Sequence, residues 1–162
     1  MRILVTGGAG FIGSHLCERL INDGHLVTAI DNFSTGRASN LNSLEGSENF
    51  TLVEGSILDT EILTPLIKDT EYVFHLAAAV GVFNIVNNPL ASLLTNIRGT
   101  ENVLEAAHIA KTPVFLTSSS EVYGKNISDS LKESDDRILG SPVTLRWSYS
   151  EAKAIDESLA YA

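Results

Sequence analysis

A tyrosine and a lysine near the carboxyl-terminal end of the sequence have a spacing that can support proton transfer. Tyr149 and Lys153 would share one face of a helix, because residues four apart lie one turn from each other. A free tyrosine has a pKa of about 10, so it becomes a useful base only where positive charge stabilises its phenolate. Lys153 and the amino-terminal end of the helix can supply that charge. The pair predicts a lysine-assisted base, although an ordinary exposed helix face produces the same pattern.

Three consecutive serines precede this pair. Ser118, Ser119 and Ser120 follow an apolar segment at 113–117 that predicts a strand. Ligands bind at the carboxyl ends of strands in open α/β sheets. A serine in this position can therefore hydrogen-bond a substrate hydroxyl.

A glycine-rich turn near the amino terminus predicts a dinucleotide site. Gly7, Gly10 and Gly13 lie between a predicted strand at 2–6 and a predicted helix at 12–22. The first glycine permits a tight turn, the second allows close approach of a pyrophosphate, and the third lets the helix pack near the strand. The free N–H groups of the helix then favour the negative phosphates. A purely structural turn is the alternative, but the position between strand and helix favours the dinucleotide.

The end of the second predicted strand bears on which dinucleotide binds. Asp31 follows the apolar segment 26–30. An acid there accepts hydrogen bonds from the ribose hydroxyls and repels a 2′-phosphate, which favours NAD over NADP. Arg37 could instead contact a phosphate, and Asp31 could be an ordinary turn residue. We expect NAD as the cofactor.

Strands and helices alternate along the sequence that must position these residues. Continuous apolar segments predict strands buried on both faces, and apolar residues at helical spacing predict amphipathic helices. The strands are predicted at 2–6, 26–30, 50–54, 71–76 and 113–117, and the helices at 12–22, 60–68, 89–110 and 148–162, with a polar loop at 125–146. This order predicts an α/β fold, a doubly wound parallel sheet of the Rossmann type in three α/β/α layers.

Capping signals mark where three of the helices begin. Asp59 suits the N-cap of the second helix, and Asn88 followed by Pro89 suits the start of the long third helix. Ser148 and Glu151 match a capping box that opens the last helix.

Composition limits the class of protein. The chain has 162 residues, 44% hydrophobic and 19% charged, which predicts one globular domain over 1–162. The net charge of −9 argues against nucleic acid as a partner. Cys17 is the single cysteine, so it forms no intrachain disulfide; a packed thiol and a cytoplasmic location are expected. The longest apolar stretch, 73–83, is too short to span a membrane. No metal site is predicted.

The last predicted helix is still running at Ala162, and no strand follows it. A doubly wound sheet normally continues beyond such a helix. The sequence therefore predicts the amino-terminal part of a longer enzyme, without a carboxyl-terminal substrate domain.

Several segments together resemble the extended short-chain dehydrogenase/reductase family. They are TGGAGFIG at 6–13, Asp31-Asn32, HLAA at 75–78, TSSSEVYG at 117–124 and YSEAK at 149–153. More narrowly, the sequence is similar to NAD-dependent sugar-nucleotide epimerases, dehydratases and decarboxylases such as UDP-glucose 4-epimerase. The resemblance covers essentially the whole chain.

The resemblance implies roles for individual residues. Tyr149 would be the catalytic base, Lys153 its electrostatic partner and a ribose ligand, and Ser119 a neighbour of the reacting hydroxyl. Ser56 departs from the family, which usually has an acid there to hold the adenine. The implied cofactor-binding residues are Gly7, Gly10, Phe11 and Ile12 through their backbone, Gly13, Asp31, Asn32, Ser56, Ile57, Leu76, Ala77, Ala78, Asn96, Tyr149 and Lys153.

Three reactions and one non-enzymatic role stay open. The leading interpretation is 4-epimerisation of a UDP-sugar. Glu121 and Ser120 could instead assist decarboxylation of UDP-glucuronate or a dehydration, and the segment 146–153 also resembles a UDP-glucuronate decarboxylase. A module that binds NAD without turnover is the non-enzymatic alternative.

The resemblance also implies a homodimer formed through two long helices, at 89–110 and 148–162. Ile155 and Leu159 could belong to that interface, although packing in the core would explain them equally well.

Overall fold

The computed structural model describes the backbone of residues 1–162 and the side chains of residues 1–81 and 85–162. One parallel sheet has the strand order β3-β2-β1-β4-β5. Its strands are β1 (Arg2–Thr6), β2 (Leu26–Asp31), β3 (Phe50–Glu54), β4 (Tyr72–His75) and β5 (Val114–Leu116). The strand order reverses between β1 and β4, so the prediction of a doubly wound parallel sheet is confirmed.

The helices of the structure are α1 (Phe11–Asn22), α2 (Thr60–Lys68), α3 (Val82–Asn87), α4 (Pro89–Ala110) and α5 (Ser148–Tyr161). All of them except α3 lie close to their predicted ranges. Short 3₁₀ turns lie at Ala38–Leu44, Ser120–Tyr123 and Leu145–Trp147. Neither α3 nor these turns was predicted, because segments this short carry too few apolar positions to show a period.

Two apolar cores lie on opposite faces of the sheet, because successive side chains of a strand point in opposite directions. One core contains Ile3, Val5, Cys17, Leu20, Val27 and Ala29. The other contains Leu4, Ile30, Leu63, Ile67, Val73 and Val103. The first uses α1 and the second uses α2 and α4, so the three-layer arrangement is confirmed.

The thiol of Cys17 belongs to the first core and is fully buried. Burial raises its pKa to about 12, so almost no thiolate exists at neutral pH. The expectation of a packed thiol is confirmed.

The predicted capping signals have different outcomes. The carboxylate of Asp59 accepts hydrogen bonds from the backbone N–H groups of Glu61 at 3.1 Å and Ile62 at 3.3 Å, so it caps α2 as predicted. The capping box at Ser148 is wrong. The preceding 3₁₀ turn runs directly into α5, and the Ser148 hydroxyl donates to the carbonyl of Leu145 at 2.7 Å.

The chain divides into two compact units. Unit 1 consists of Met1–Ala78 and Gly99–Thr117, and unit 2 of Ala79–Arg98 and Ser118–Ala162. Unit 1 contains the whole sheet, and unit 2 contains α3, the beginning of α4 and α5. Within the described part of the chain, no helix has both the length and the apolar character needed to cross a membrane.

Candidate functional site

The glycine turn of unit 1 leaves no room for side chains. A Cβ on Gly13 would lie 2.1 Å from the carbonyl oxygen of Gly7. Gly7 has a φ of +72°, and a Cβ there would lie 2.8 Å from the backbone nitrogen of Ala77. The backbone after β1 therefore packs directly against the backbone after β4, at the point where the strand order reverses. Ligands bind at such a point in doubly wound sheets.

The amino-terminal end of α1 forms the edge of this turn. Gly10 is its N-cap in an extended conformation, and the first turn of the helix contains no acidic residue. The side chains of Phe11 and Ile12 are largely exposed, and the backbone N–H groups in the first turn of a helix have no partner within the helix. Those groups and the helix dipole favour an anion, which fits the pyrophosphate of the predicted dinucleotide.

A buried histidine ties the two strand ends together. The hydroxyl of Thr6 accepts the backbone N–H groups of Leu76 at 3.2 Å and Ala77 at 3.1 Å, and it lies 2.7 Å from Nδ1 of His75. Its own proton therefore goes to Nδ1, which leaves the ring proton on Nε2 to be donated to Thr100 at 3.1 Å. Sequence reasoning missed this network, whose only signal was a polar residue inside an apolar strand.

The carboxylate of Asp31 is engaged with the backbone. Its Oδ2 accepts the N–H of Ala9 at 2.9 Å, and its Oδ1 accepts that of Phe33 at 2.8 Å. The side chain of Asn32 accepts the N–H of Ser34 at 3.1 Å. Asp31, which is 8% exposed, therefore anchors the glycine turn to β2. Each carboxylate oxygen still has capacity for a ribose hydroxyl.

Ser56 and Ile57 follow β3 and have different surroundings. The Ser56 hydroxyl accepts the backbone N–H of Leu58 at 3.2 Å. The side chain of Ile57 is buried, and a Cβ on Gly99 would lie 2.2 Å from its Cδ1. Its carbonyl accepts from the amide of Asn102 at 3.0 Å. Any contact of Ile57 with a cofactor would therefore have to use backbone atoms.

Asn96 is the first predicted site residue within unit 2. Its Oδ1 accepts the N–H of Ala79 at 2.7 Å, and its Nδ2 donates to the carbonyl of Ala79 at 3.2 Å. The amide is 2% exposed and satisfies both polar groups of one loop residue. This contact holds the loop at Ala79 against α4, and the cofactor contact that the resemblance implies for Asn96 stays a prediction.

Unit 2 brings the predicted base and its serine together. The side chain of Ser119 lies near enough to Tyr149 to lower the pKa of the phenol. The Ser119 hydroxyl also accepts the backbone N–H of Glu121 at 3.2 Å, which caps the 3₁₀ turn Ser120–Tyr123. Glu121 acts on Tyr149 through its charge. Three of the predicted catalytic residues therefore form one cluster.

The balance of these contacts disfavours the phenolate. Burial raises the pKa of Tyr149, the negative charge of Glu121 raises it further, hydrogen bonding from Ser119 lowers it, and the charge of Asp156 raises it. In the structure without ligand, Tyr149 is therefore a weaker acid than a free tyrosine. Positive charge has to be added before it can serve as a base near neutral pH.

Lys153 is buried beside a carboxylate. It is 2% exposed, and its Nζ lies 3.3 Å from Oδ2 of Asp156, which is 0% exposed. Sequence reasoning missed Asp156. Its signal was its spacing, three residues after Lys153 and seven after Tyr149, which places all three on one helix face.

The other two serines occupy more open positions. The Ser118 hydroxyl donates to the carboxylate of Glu157 on α5. Glu157 also lies 3.9 Å from Nη1 of Arg137. Ser120 begins the 3₁₀ turn and is exposed. Among the described hydrogen bonds, none joins Ser118 or Ser120 to Tyr149.

The predicted site residues fall into two sets. Most of the implied cofactor-binding residues lie in unit 1, whereas Asn96, Tyr149 and Lys153 lie in unit 2 with the predicted catalytic residues. Among the described side chains, no group of three or more His, Cys, Asp or Glu is arranged to hold a metal ion.

Comparisons with known proteins identify relatives that modify nucleotide sugars. A family model described as GDP-mannose 4,6 dehydratase matches residues 4–162. The UDP-N-acetyl-α-D-glucosaminuronate decarboxylase of Bacillus cytotoxicus is 43% identical over 98% of this chain and 48% of its own length.

Two solved structures are similar in fold and sequence. The UDP-glucose 4-epimerase of Thermotoga maritima with UDP-glucose is 36% identical, with a TM-score of 0.85 over 99% of this chain and 50% of its own. The UDP-glucose 4-epimerase of Brucella ovis in complex with NAD is 31% identical, with a TM-score of 0.82 over 98% of this chain and 46% of its own. The chain therefore spans about half the length of these relatives.

Proposed function

Because this chain belongs to the GDP-mannose 4,6 dehydratase family, we propose that it is part of an NAD-dependent enzyme that modifies a nucleotide sugar by transient oxidation at C4. The observation that carries the proposal is the cluster of Ser119, Tyr149 and Glu121 in unit 2. A nucleotide-binding module without chemistry has no need for a tyrosine whose pKa is influenced by a neighbouring serine and glutamate.

The binding half of the proposal uses unit 1. The glycine turn and the amino-terminal end of α1 would hold the pyrophosphate, and Asp31 would accept the ribose hydroxyls. Ser56 would take the place of the family's acid at the adenine end. The NAD-bound relative from Brucella ovis supports NAD as the cofactor.

The chemical half uses unit 2. Bound NAD would supply a hydride acceptor for C4 of the sugar. As a phenolate, Tyr149 takes the proton of the C4 hydroxyl, and Ser119 hydrogen-bonds the same oxygen and keeps it oriented. Return of the proton from Tyr149, and of the hydride to the opposite face of C4, completes a 4-epimerisation. We propose a UDP-sugar as the substrate, by analogy with the UDP-glucose-bound relative.

Decarboxylation of a UDP-uronate is the second candidate. The relative from Bacillus cytotoxicus carries the name of such a decarboxylase, and Glu121 lies close enough to Tyr149 to act on its charge. Oxidation at C4 would create a β-keto acid. Its C5–C6 bond would break to release CO₂, and the electron pair of that bond would form an enolate with the C4 oxygen. A proton would then add at C5, and return of the hydride to C4 would restore the hydroxyl and the oxidised cofactor. Glu121 and Ser120 would assist the proton movements that follow.

A panel of UDP-sugars and UDP-uronates, given to the full-length protein without added NADH, separates the candidates. Epimerisation yields an isomer of the same mass, whereas decarboxylation releases CO₂. We expect Tyr149→Phe to lower turnover by about a hundredfold or more, because general base catalysis contributes at least that much. Normal turnover by Tyr149→Phe would refute the assignment.

A control distinguishes these enzymes from a binding module. Calorimetry with NAD on the 162-residue chain should show binding even without turnover. NAD binding by a full-length protein that converts no member of the panel would favour the non-enzymatic alternative. The absence of NAD binding would contradict all three readings.

A further inference from the structure

Lys153 forms a buried pair on α5 with Asp156, which has no role in the function proposed above. Lys153 is 2% exposed and Asp156 is 0% exposed, and Nζ lies 3.3 Å from Oδ2. An ionised group buried in this way needs a partner of opposite charge, because desolvation would otherwise disfavour its charged form. The carboxylate of Asp156 therefore helps to keep the ammonium charged in this buried location.

Asp156 also faces the proposed base. Tyr149, Ala152, Lys153 and Asp156 follow one another at intervals of three, one and three residues, which places them on a single face of α5. The charge of Asp156 reaches the phenol of Tyr149. One carboxylate thus touches the lysine directly and acts on the tyrosine across the helix face.

We propose that Asp156 is a positioning residue, which holds the Lys153 ammonium in its buried location and so governs how much of that positive charge is available to Tyr149. The inference rests on the proposed role of Tyr149 as the base. In the structure without ligand, Asp156 pairs with the Lys153 ammonium, whose positive charge would otherwise stabilise the Tyr149 phenolate. Binding of cofactor or substrate must overcome this restraint before proton transfer can begin.

Other charges around the pair have to be considered with it. The 3₁₀ turns Ser120–Tyr123 and Leu145–Trp147 pack against α5, and Arg137 reaches it at the carbonyl of Ala154. The titratable or charged groups on these elements and on α5 are Glu121, Tyr123, Arg137, Arg146, Tyr149, Glu151, Lys153, Asp156, Glu157 and Tyr161. Of the acidic groups among them, Glu121 and Asp156 shift the pKa of Tyr149.

The first experiment is carried out on the unmodified chain. Nitrogen NMR of the lysine ammonium groups should show slow proton exchange with water for Lys153 and fast exchange for the exposed Lys68 and Lys111. Slow exchange is expected because a buried ammonium held by a carboxylate is shielded from solvent. Exchange of Lys153 as fast as that of the exposed lysines would overturn the proposal.

The second experiment removes the charge of Asp156. In Asp156→Asn, the titration midpoint of Tyr149, measured by NMR of its ring carbon and assigned with Tyr149→Phe, should move to lower pH. The exchange of the Lys153 ammonium should accelerate in the same variant. An unchanged or raised midpoint, or unchanged exchange, would overturn the proposal.

Matched variants separate positioning from simple removal of charge. Glu121→Gln should also lower the Tyr149 midpoint, but it should leave the Lys153 exchange slow, since the carboxylate beside Nζ is that of Asp156. Glu151→Gln removes an equal charge from the same helix and should change neither readout. Asp156→Glu keeps the charge and should restore slow exchange.

These measurements do not depend on turnover. If Asp156→Asn does not fold, the exchange rate in the unmodified chain still tests whether the ammonium is shielded as the proposal requires, and Asp156→Glu tests the carboxylate itself. A failure of the UDP-sugar panel would count against the proposed function only. A failure of the exchange measurement would count against the role of Asp156 only.

Discussion

The carboxylate of Asp31 stabilises the fold even without a bound ligand. Both of its oxygens accept backbone N–H groups, one from Ala9 in the glycine turn and one from Phe33 after β2. These hydrogen bonds are charge-assisted and mostly buried, which makes them stronger than ordinary ones. The residue predicted from its spacing as a ribose ligand is therefore also a structural anchor.

Replacing Asp31 by asparagine should destabilise the chain. An amide offers one acceptor oxygen where the carboxylate offers two, so one backbone N–H would face an NH₂ group instead. We expect the free energy of unfolding to fall by about 1–3 kcal/mol, the cost of leaving such a donor unsatisfied. Urea unfolding measures it, with the exposed Asp129→Asn as the matched control. Equal stability of the two variants would contradict the anchoring role.

At the scale of elements, buried strands and long helices could be predicted from the sequence. Continuous apolar segments placed β1 and β2 within a residue of their observed ends, and Asp59 correctly marked the start of α2. The start of α5 was misread, because a serine pattern cannot reveal that a 3₁₀ turn already leads into the helix. Local propensity predicts only the conformation that a segment prefers by itself. The 3₁₀ turn Leu145–Trp147 depends instead on the segments packed around it.

The same limit applies to the candidate site. The glycines and Asp31 carry their role in their residue type and spacing, so they could be found. The network of Thr6, His75 and Thr100 joins three separate segments, and only the folded structure brings them together. Asp156 was visible in the helical period, but its burial against Lys153 was not.

The N-cap of α2 provides a prediction at this scale. Asp59→Ala removes the acceptor for two backbone N–H groups and should lower the free energy of unfolding by about 1 kcal/mol. Asp59→Ser keeps an oxygen at the cap and should recover most of the loss. Thermal unfolding compares the three proteins, and an alanine variant as stable as the serine variant would show that the cap contributes little.

At the scale of the whole molecule, some of the apolar residues on the surface lie on the two helices that the resemblance assigns to a dimer interface. On α5, Ile155 is 42% exposed and Leu159 is 39% exposed, and on α4, Leu90 is 67% exposed. Core packing therefore leaves a substantial part of the Ile155 and Leu159 side chains uncovered. We propose that the full-length protein forms a homodimer through α4 and α5, as the family resemblance implies.

Substitution of these side chains should weaken the dimer. In Ile155→Lys combined with Leu159→Lys, each copy would bury unpaired charge at the interface, so sedimentation of the full-length protein should shift toward the monomer. Ile127→Lys is the matched control, because Ile127 is 95% exposed and lies in a loop. A double variant that sediments like the unmodified protein would place any dimer contact elsewhere.

The contact between Asp31 and Ala9 has a consequence for engineering. A designer who wished the chain to accept a phosphorylated ribose would begin by neutralising Asp31, and that change would loosen the glycine turn at the same time. Gly36 offers little space for compensation, since a Cβ there would lie 3.0 Å from Oδ1 of Asp31 and 2.9 Å from the carbonyl carbon of Ala9. A switch of nucleotide preference would therefore require a replacement anchor for Ala9, chosen together with the new specificity.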